Sequence, residues 1–167
     1  LGDGLEAALL RCAHGVVTAT PTFRDNLLRR FPFLSPERVH EIPNGYDPAD
    51  FMGAHESTPL PPLADDKLTL TYAGTVFRLT SPRGLLGALR RLHRDEPALA
   101  ARLRVRFIGR IVDTELDAFA DSEALGVERV GYLSHHEVLT ALAESHLTLC
   151  LLDDVPGTEA IYPGKVF

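Results

Sequence analysis

Four loops of this sequence carry residues able to grip an anion. They read Gly74-Thr75-Val76-Phe77-Arg78, Gly109-Arg110, Gly131-Tyr132-Leu133-Ser134-His135-His136, and the stretch from Asp153 to Lys165. Three of the four join a glycine to a nearby guanidinium or imidazole. Glycine lets the backbone come close to a phosphate, and a guanidinium binds phosphate oxygens in bidentate fashion. Open parallel sheets bind ligands beyond the carboxyl ends of their strands, where helix N-termini offer unpaired N–H groups to anions. Such a face suits a nucleotide diphosphate. Arg78 and Arg83 are both placed to neutralise phosphate oxygens, and Arg110 directly follows a strand-ending glycine. The competing readings are solvated surface charge and ordinary strand-ending glycines. Lys165 stands where a final helix would begin, a position unfavourable for a cation unless an anion occupies it.

Other chemistries find less support. The glycines do not form a Gly-x-Gly-x-x-Gly fingerprint, which argues against a dinucleotide site of the NAD type. His135 and His136 are adjacent, point different ways at a helix start, and lack a third ligand at metal-binding spacing. No metal and no resident cofactor is therefore expected, and no catalytic residue is assigned. Cys12 and Cys150 sit in apolar contexts and read as small core residues, not as a disulfide. The net charge of -6 gives no basic field for nucleic acid, although arginines cluster at 90–94 and 102–110. No apolar run approaches a membrane span, and the opening residues do not read as a signal peptide. The expected compartment is the reducing cytoplasm, with a peripheral place at the inner membrane face open to a parent protein.

The elements that must position these loops follow from periodicity and turn chemistry. At 167 residues, 45% hydrophobic and 24% charged, the chain can bury one real core and part of another. A helix is predicted over Leu5–Ala13, then a strand over Gly15–Thr20. Thr20 caps a helix from Pro21 to about Phe31, with Phe23, Leu27, Leu28 and Phe31 on one face. A brief strand, Arg38–Ile42, runs into Pro43-Asn44-Gly45, where Asn-Gly signals a sharp turn. Proline-rich residues 47–66 read as a linker. Beyond it the order is β-α-β-α-β-α-β. The strands are Leu68–Ala73, Leu103–Ile108, Val127–Tyr132 and Leu147–Leu152. The helices are Pro82–His93, Asp113–Leu125 and Ser134–Ser145, the last opened by a Ser134/Glu137 capping box. Alternating arginines make Leu103–Ile108 an edge strand with one wet face, and Leu147–Leu152 reads as buried on both faces. The fold class is α/β, a Rossmann-like open parallel sheet preceded by a partial α/β segment. The chain stops one turn into an apparent helix at Gly164-Lys165-Val166-Phe167, which predicts a fragment whose unpaired edges favour self-association.

Five stretches in order resemble the group 1, or family 4, glycosyltransferases of the GT-B class. They are Val16-Val17-Thr18-Ala19-Thr20, Ile42-Pro43-Asn44-Gly45-Tyr46-Asp47, Leu70-Thr71-Tyr72-Ala73-Gly74-Thr75, Phe107-Ile108-Gly109 and Gly131-Tyr132-Leu133. Pro163-Gly164-Lys165-Val166-Phe167 resembles the segment before that family's glutamate-bearing helix. The resemblance implies a truncated GT-B protein. Residues 1–46 would be the tail of the acceptor domain, 47–66 the linker, and 67–167 the first half of the donor domain. It implies a nucleotide-sugar donor, an acceptor the sequence does not name, and sugar transfer with retention and without a metal at the diphosphate. The donor diphosphate would meet a basic pair near Arg78 and Lys165, and the base a loop near Gly131–His136.

The sequence departs from the family in one loop. Gly74-Thr75-Val76-Phe77-Arg78-Leu79-Thr80-Ser81-Pro82-Arg83-Gly84 lacks the usual Gly-Arg and Lys-Gly pairs, so Arg78 and Arg83 compete for the phosphate role. The family's glutamate pair is not visible, and acceptor-side residues are missing, so these 167 residues alone are expected to be inactive. Two alternatives remain open at this point: a non-catalytic α/β interaction module, and another GT-B enzyme such as a nucleotide-sugar epimerase.

Overall fold

The computed structural model describes residues 2–51, 66–156 and 158–163. They form two compact units. One gathers the residues up to Tyr46 and the described residues from Val155 on; the other is Asp47–Asp154.

The first unit holds α1 (Gly2–Cys12), β1 (Val16–Thr18), α2 (Pro21–Arg30) and β2 (Val39–Glu41). β1 and β2 pair in parallel, with α2 as the crossover. Thr20 caps α2, its hydroxyl accepting from Phe23 N at 3.1 Å with Pro21 at the first helical position. The same hydroxyl donates to Ala160 O at 2.9 Å, which explains why Thr20 is buried. Phe31, Leu34 and Val39 form a small core under Leu10, Leu27 and Leu28. Phe23, expected on that face, is instead exposed.

The second unit carries the larger core. β3 (Leu68–Ala73), α3 (Arg83–Asp95), α4 (Pro97–Ala100), β4 (Leu103–Ile108), β5 (Val127–Gly131), α5 (His135–Ala143) and β6 (Leu147–Thr148) follow in order. The sheet runs β5-β4-β3-β6 and every pairing is parallel. Leucines at helical spacing drive α3 onto it. Leu86 is fully buried and Leu89 nearly so, against Tyr72, Val105 and Phe107. Burying one such leucine stabilises by about 1.5–3 kcal/mol. Among the described residues no helix is long and apolar enough to cross a membrane.

Several expectations need correction. Asp113–Leu125 is not an α-helix but a 3-10 segment, Asp113–Phe119, followed by turns. Acids recur there at i,i+4 (Asp113, Asp117, Asp121), a spacing whose repulsion disfavours an α-helix. Arg83 and Arg90 of α3 then take two of those acids. Arg90 grips Asp121 in bidentate fashion at 2.7 and 2.6 Å, and Arg83 grips Asp117 at 3.2 and 2.5 Å. β4 is an interior strand, not an edge. Its wet face survives because Arg104 and Arg106 lie 3.5 and 3.8 Å from Glu128 on β5. β6 is only two residues long and Leu147 is 57% exposed, so the last strand is not buried on both faces. After Leu149 N bonds Thr71 O, the chain leaves the sheet, and Asp153 N bonds Leu79 O at 2.8 Å instead. Cys12 and Cys150 are exposed, not core residues. Gly45 does not take a left-handed φ and residues 42–47 form no turn. Ile42 N extends the pairing to Thr18 O, and Asn44 Nδ2 donates to Tyr162 O at 3.3 Å.

The bidentate pairs make the 3-10 segment sensitive to acid. Hydrogen bonds from Arg83 and Arg90 hold the Asp117 and Asp121 carboxyls below the usual aspartate range. Lowered folded-state values mean that their contribution is complete above the unfolded-state pKa and is lost as pH falls through the folded one. The amides around 113–121 are therefore expected to lose hydrogen-exchange protection below about pH 4, before the β3–β4 ladder does. Simultaneous loss in both places would refute a local clamp.

Candidate diphosphate-binding edge

Three glycines end three adjacent strands at the carboxyl edge of the second unit's sheet. Gly74, Gly109 and Gly131 have φ of 145°, 119° and 82°. They interlock, since Gly74 N donates to Ile108 O at 2.8 Å and Gly109 N to Gly131 O at 2.6 Å. A Cβ on Gly109 would lie 2.5 Å from Gly74 O, so the two backbones meet where no side chain fits. The result is a rim of bare backbone on which a flat or anionic group can lie close to the main chain.

The loop after Gly74 is tied down along its length. The Thr75 carbonyl accepts from Tyr72 OH at 2.9 Å and from Thr80 Oγ1 at 2.7 Å. Phe77 N donates to Thr80 Oγ1 at 3.1 Å. Val76 bridges to Ile111, prolonging the β3–β4 pairing past the glycines. Arg78 stands on the 3-10 turn Arg78–Thr80, exposed, with no hydrogen-bond or ion-pair partner among the described residues. Arg110 is exposed in the same way; its carbonyl accepts from Val76 N, while its guanidinium has no partner among the described residues. Arg83, the rival of Arg78, is committed to Asp117 and to Glu115 at 3.3 Å. The structure thus separates two arginines that sequence alone left competing.

The third loop divides its residues. Tyr132 is 90% exposed and Leu133 half-buried. Ser134 and Glu137 close the expected capping box. Ser134 N and Oγ donate to Glu137 Oε2 at 2.8 and 2.6 Å, and the Ser134 hydroxyl, then its amide, pulls the Glu137 carboxyl below its usual range. That carboxylate occupies the anion position of α5 itself. His135 Nε2 lies 3.0 Å from Asp50 Oδ2, and His136 is exposed. Among the described residues no cluster of three His, Cys, Asp or Glu could hold a metal ion. Lys165 lies outside the described residues. Between the α3 N-terminus and the chain after β6 lies a cavity of about 360 Å³, lined by Ser81, Arg83, Gly84, Leu85 and Leu151–Asp153 among others. Sequence reasoning missed Glu115, which is buried and accepts from Ser81 Oγ at 3.0 Å. As one acid within an acidic run it carried no distinguishing signal.

This parallel sheet and its crossovers form a segment of the GT-B glycosyltransferase fold, shared with solved GT-B glycosyltransferases. One sequence relative is named as a glycosyltransferase and another as a sugar-phosphate synthase, so the resemblance to the group 1 enzymes rests on sequence and fold together. The chain is 34% identical over 109 residues to D-inositol 3-phosphate glycosyltransferase 1 of Catenulispora acidiphila, covering 62% of this chain and 25% of that protein. It is 28% identical over 95 residues to alpha-maltose-1-phosphate synthase of Mycolicibacterium smegmatis, covering 56% and 24%. Among solved structures, a UDP-forming alpha,alpha-trehalose-phosphate synthase from Burkholderia xenovorans superposes with a TM-score of 0.58 at 12% identity, over 81% of this chain and 40% of that one. No protein-family model matches. The chain spans about a quarter of the length of the curated relatives it matches.

Proposed function

We propose that the second unit binds the diphosphate of a nucleoside diphosphate sugar at its glycine rim, as part of an enzyme that transfers the sugar to an acceptor. The observation that carries this reading is the conjunction of three interlocked left-handed glycines with two exposed guanidinium groups, Arg78 and Arg110, unpartnered among the described residues. Backbone groups at the rim approach the phosphates, and the guanidinium groups neutralise charge that grows on the departing diphosphate. Thr75 flanks the first glycine, and Tyr132 and Leu133 supply an exposed ring and an apolar side chain beside the third, suited to a base or ribose. His135 contributes through its bond to Asp50, which orients the start of α5. Lys165 keeps the second phosphate role that the family resemblance implies. The two sequence relatives, named as a glycosyltransferase and as a sugar-phosphate synthase, support transfer over an epimerase or an interaction module.

The test is a titration of the 167-residue chain with UDP and GDP, followed by NMR. Binding is expected at high micromolar to millimolar concentration, weakened at least about tenfold when Arg78→Ala is combined with Lys165→Ala, which corresponds to about 1.4 kcal/mol or more. Unmoved Gly74, Gly109 and Gly131 amides at millimolar nucleotide would count against retained binding.

A further inference from the structure

The buried carboxylate of Glu115 has two partners among the described residues, Arg83 on α3 and Ser81, and the second of them closes the loop that carries Arg78. Glu115 is 6% exposed, whereas its neighbours Thr114 and Leu116 are exposed. Its Oε2 accepts from Ser81 Oγ at 3.0 Å and sits 3.3 Å from Arg83 Nε. Ser81 directly follows the 3-10 turn Arg78–Thr80. That turn is held at its start by Phe77 N on Thr80 Oγ1, at its middle by Asp153 N on Leu79 O, and at its end by Ser81 on Glu115. A long exposed arginine binds an anion well only if its backbone is already fixed, because ordering a loop on binding subtracts from affinity.

We infer that Glu115 is a positioning residue for Arg78. Buried beneath the loop, it anchors Ser81 and so fixes the turn on which Arg78 is presented to the anion. What Arg78 does rests on the diphosphate reading; what Glu115 does to the loop rests only on these hydrogen bonds. A buried carboxylate is a strong acceptor for a hydroxyl and holds it in one geometry. The pairing with Arg83 keeps the carboxylate compensated where water is scarce.

The experiment uses the 167-residue chain and the variants Glu115→Ala, Glu115→Gln, Ser81→Ala, Arg78→Ala and Arg78→Ala/Ser81→Ala. Without ligand, amide exchange at Phe77 and Asp153 is expected to quicken at least about tenfold in Glu115→Ala and Ser81→Ala, relative to Val105 in β4. Glu115→Gln should keep most of the protection, since its amide oxygen still accepts from Ser81. With UDP or GDP as probe, Ser81→Ala should weaken binding several-fold in the wild-type background and not at all beside Arg78→Ala. Unchanged exchange at Phe77 and Asp153 would overturn the inference. So would an equal loss of affinity with and without Arg78, which would mean that Ser81 acts on the ligand independently. If Glu115→Ala does not fold, Ser81→Ala and Glu115→Gln carry the same comparison. If the wild-type chain binds neither nucleotide, the diphosphate reading fails, while exchange still decides whether Glu115 fixes the loop.

Discussion

Replacing Gly109 with alanine is expected to destabilise the second unit by about 2–5 kcal/mol. Two penalties add. Gly109 has φ of 119°, a backbone region that costs a residue with a Cβ about 1–3 kcal/mol. The new Cβ would also stand 2.5 Å from Gly74 O and 3.0 Å from Gly74 C, a clash with backbone that no rotamer relieves. Relief requires β3 and β4 to part at their carboxyl ends, where Gly74 N bonds Ile108 O. The same movement opens the rim, so the nucleotide binding proposed above should fall with stability. Gly87→Ala is the matched control. Gly87 lies inside α3 with nothing within 4 Å of where a methyl group would stand, so alanine there should stabilise by about 0.5–1 kcal/mol. Urea unfolding of the two variants reads both values. A Gly109→Ala midpoint equal to wild type would show that the two glycine backbones are not in contact.

Truncating Phe107 to alanine should cost about 3–5 kcal/mol. Phe107 is 2% exposed near the carboxyl end of β4, an interior strand paired with β3 and β5. Its ring lies 5.5 Å from that of Tyr72 and meets Phe119 edge-on at 5.0 Å and 88°. Removing it takes away the transferred apolar surface, both ring contacts and the packing that holds the 3-10 segment against the sheet. At roughly 4–8 °C per kcal/mol for a unit of about this size, the midpoint should fall by on the order of 12–40 °C. Near-UV circular dichroism of the tyrosines should change as well, since Tyr72 loses its neighbour. A loss below about 1 kcal/mol would place Phe107 outside the core.

How much of this was legible beforehand depended on the range of the interaction. The caps at Thr20 and Ser134 act within four residues, and the structure has both as the sequence predicts. The leucines of α3 report a single helix face, and Leu86 and Leu89 are buried on it. The strand-ending glycines Gly74 and Gly109 were also visible, whereas Gly131 was read inside a strand Val127–Tyr132 and in fact ends it. Less legible was anything decided by a partner far along the chain. Asp113–Leu125 looked helical by its apolar spacing, yet Arg83 and Arg90, far earlier in the chain, claim Asp117 and Asp121. Asn44-Gly45 looked like a tight turn, yet no turn forms there and the Asn44 side chain reaches a carbonyl at Tyr162.

Read alone, the sequence specifies the α/β class, the order of strands and connections, the glycines that end β3 and β4, and the resemblance to GT-B glycosyltransferases. These rest on periodicity, caps and turn residues, which are local and act the same way in any fold. Tertiary structure alone brings Gly74 and Gly109 into contact, places β4 inside the sheet, spends Arg83 on Asp117 and Glu115, and leaves Arg78 exposed without a partner among the described residues. Each of those depends on which distant groups share a neighbourhood, and charge and hydrogen-bond pairing across such distances leave no periodic trace in the chain.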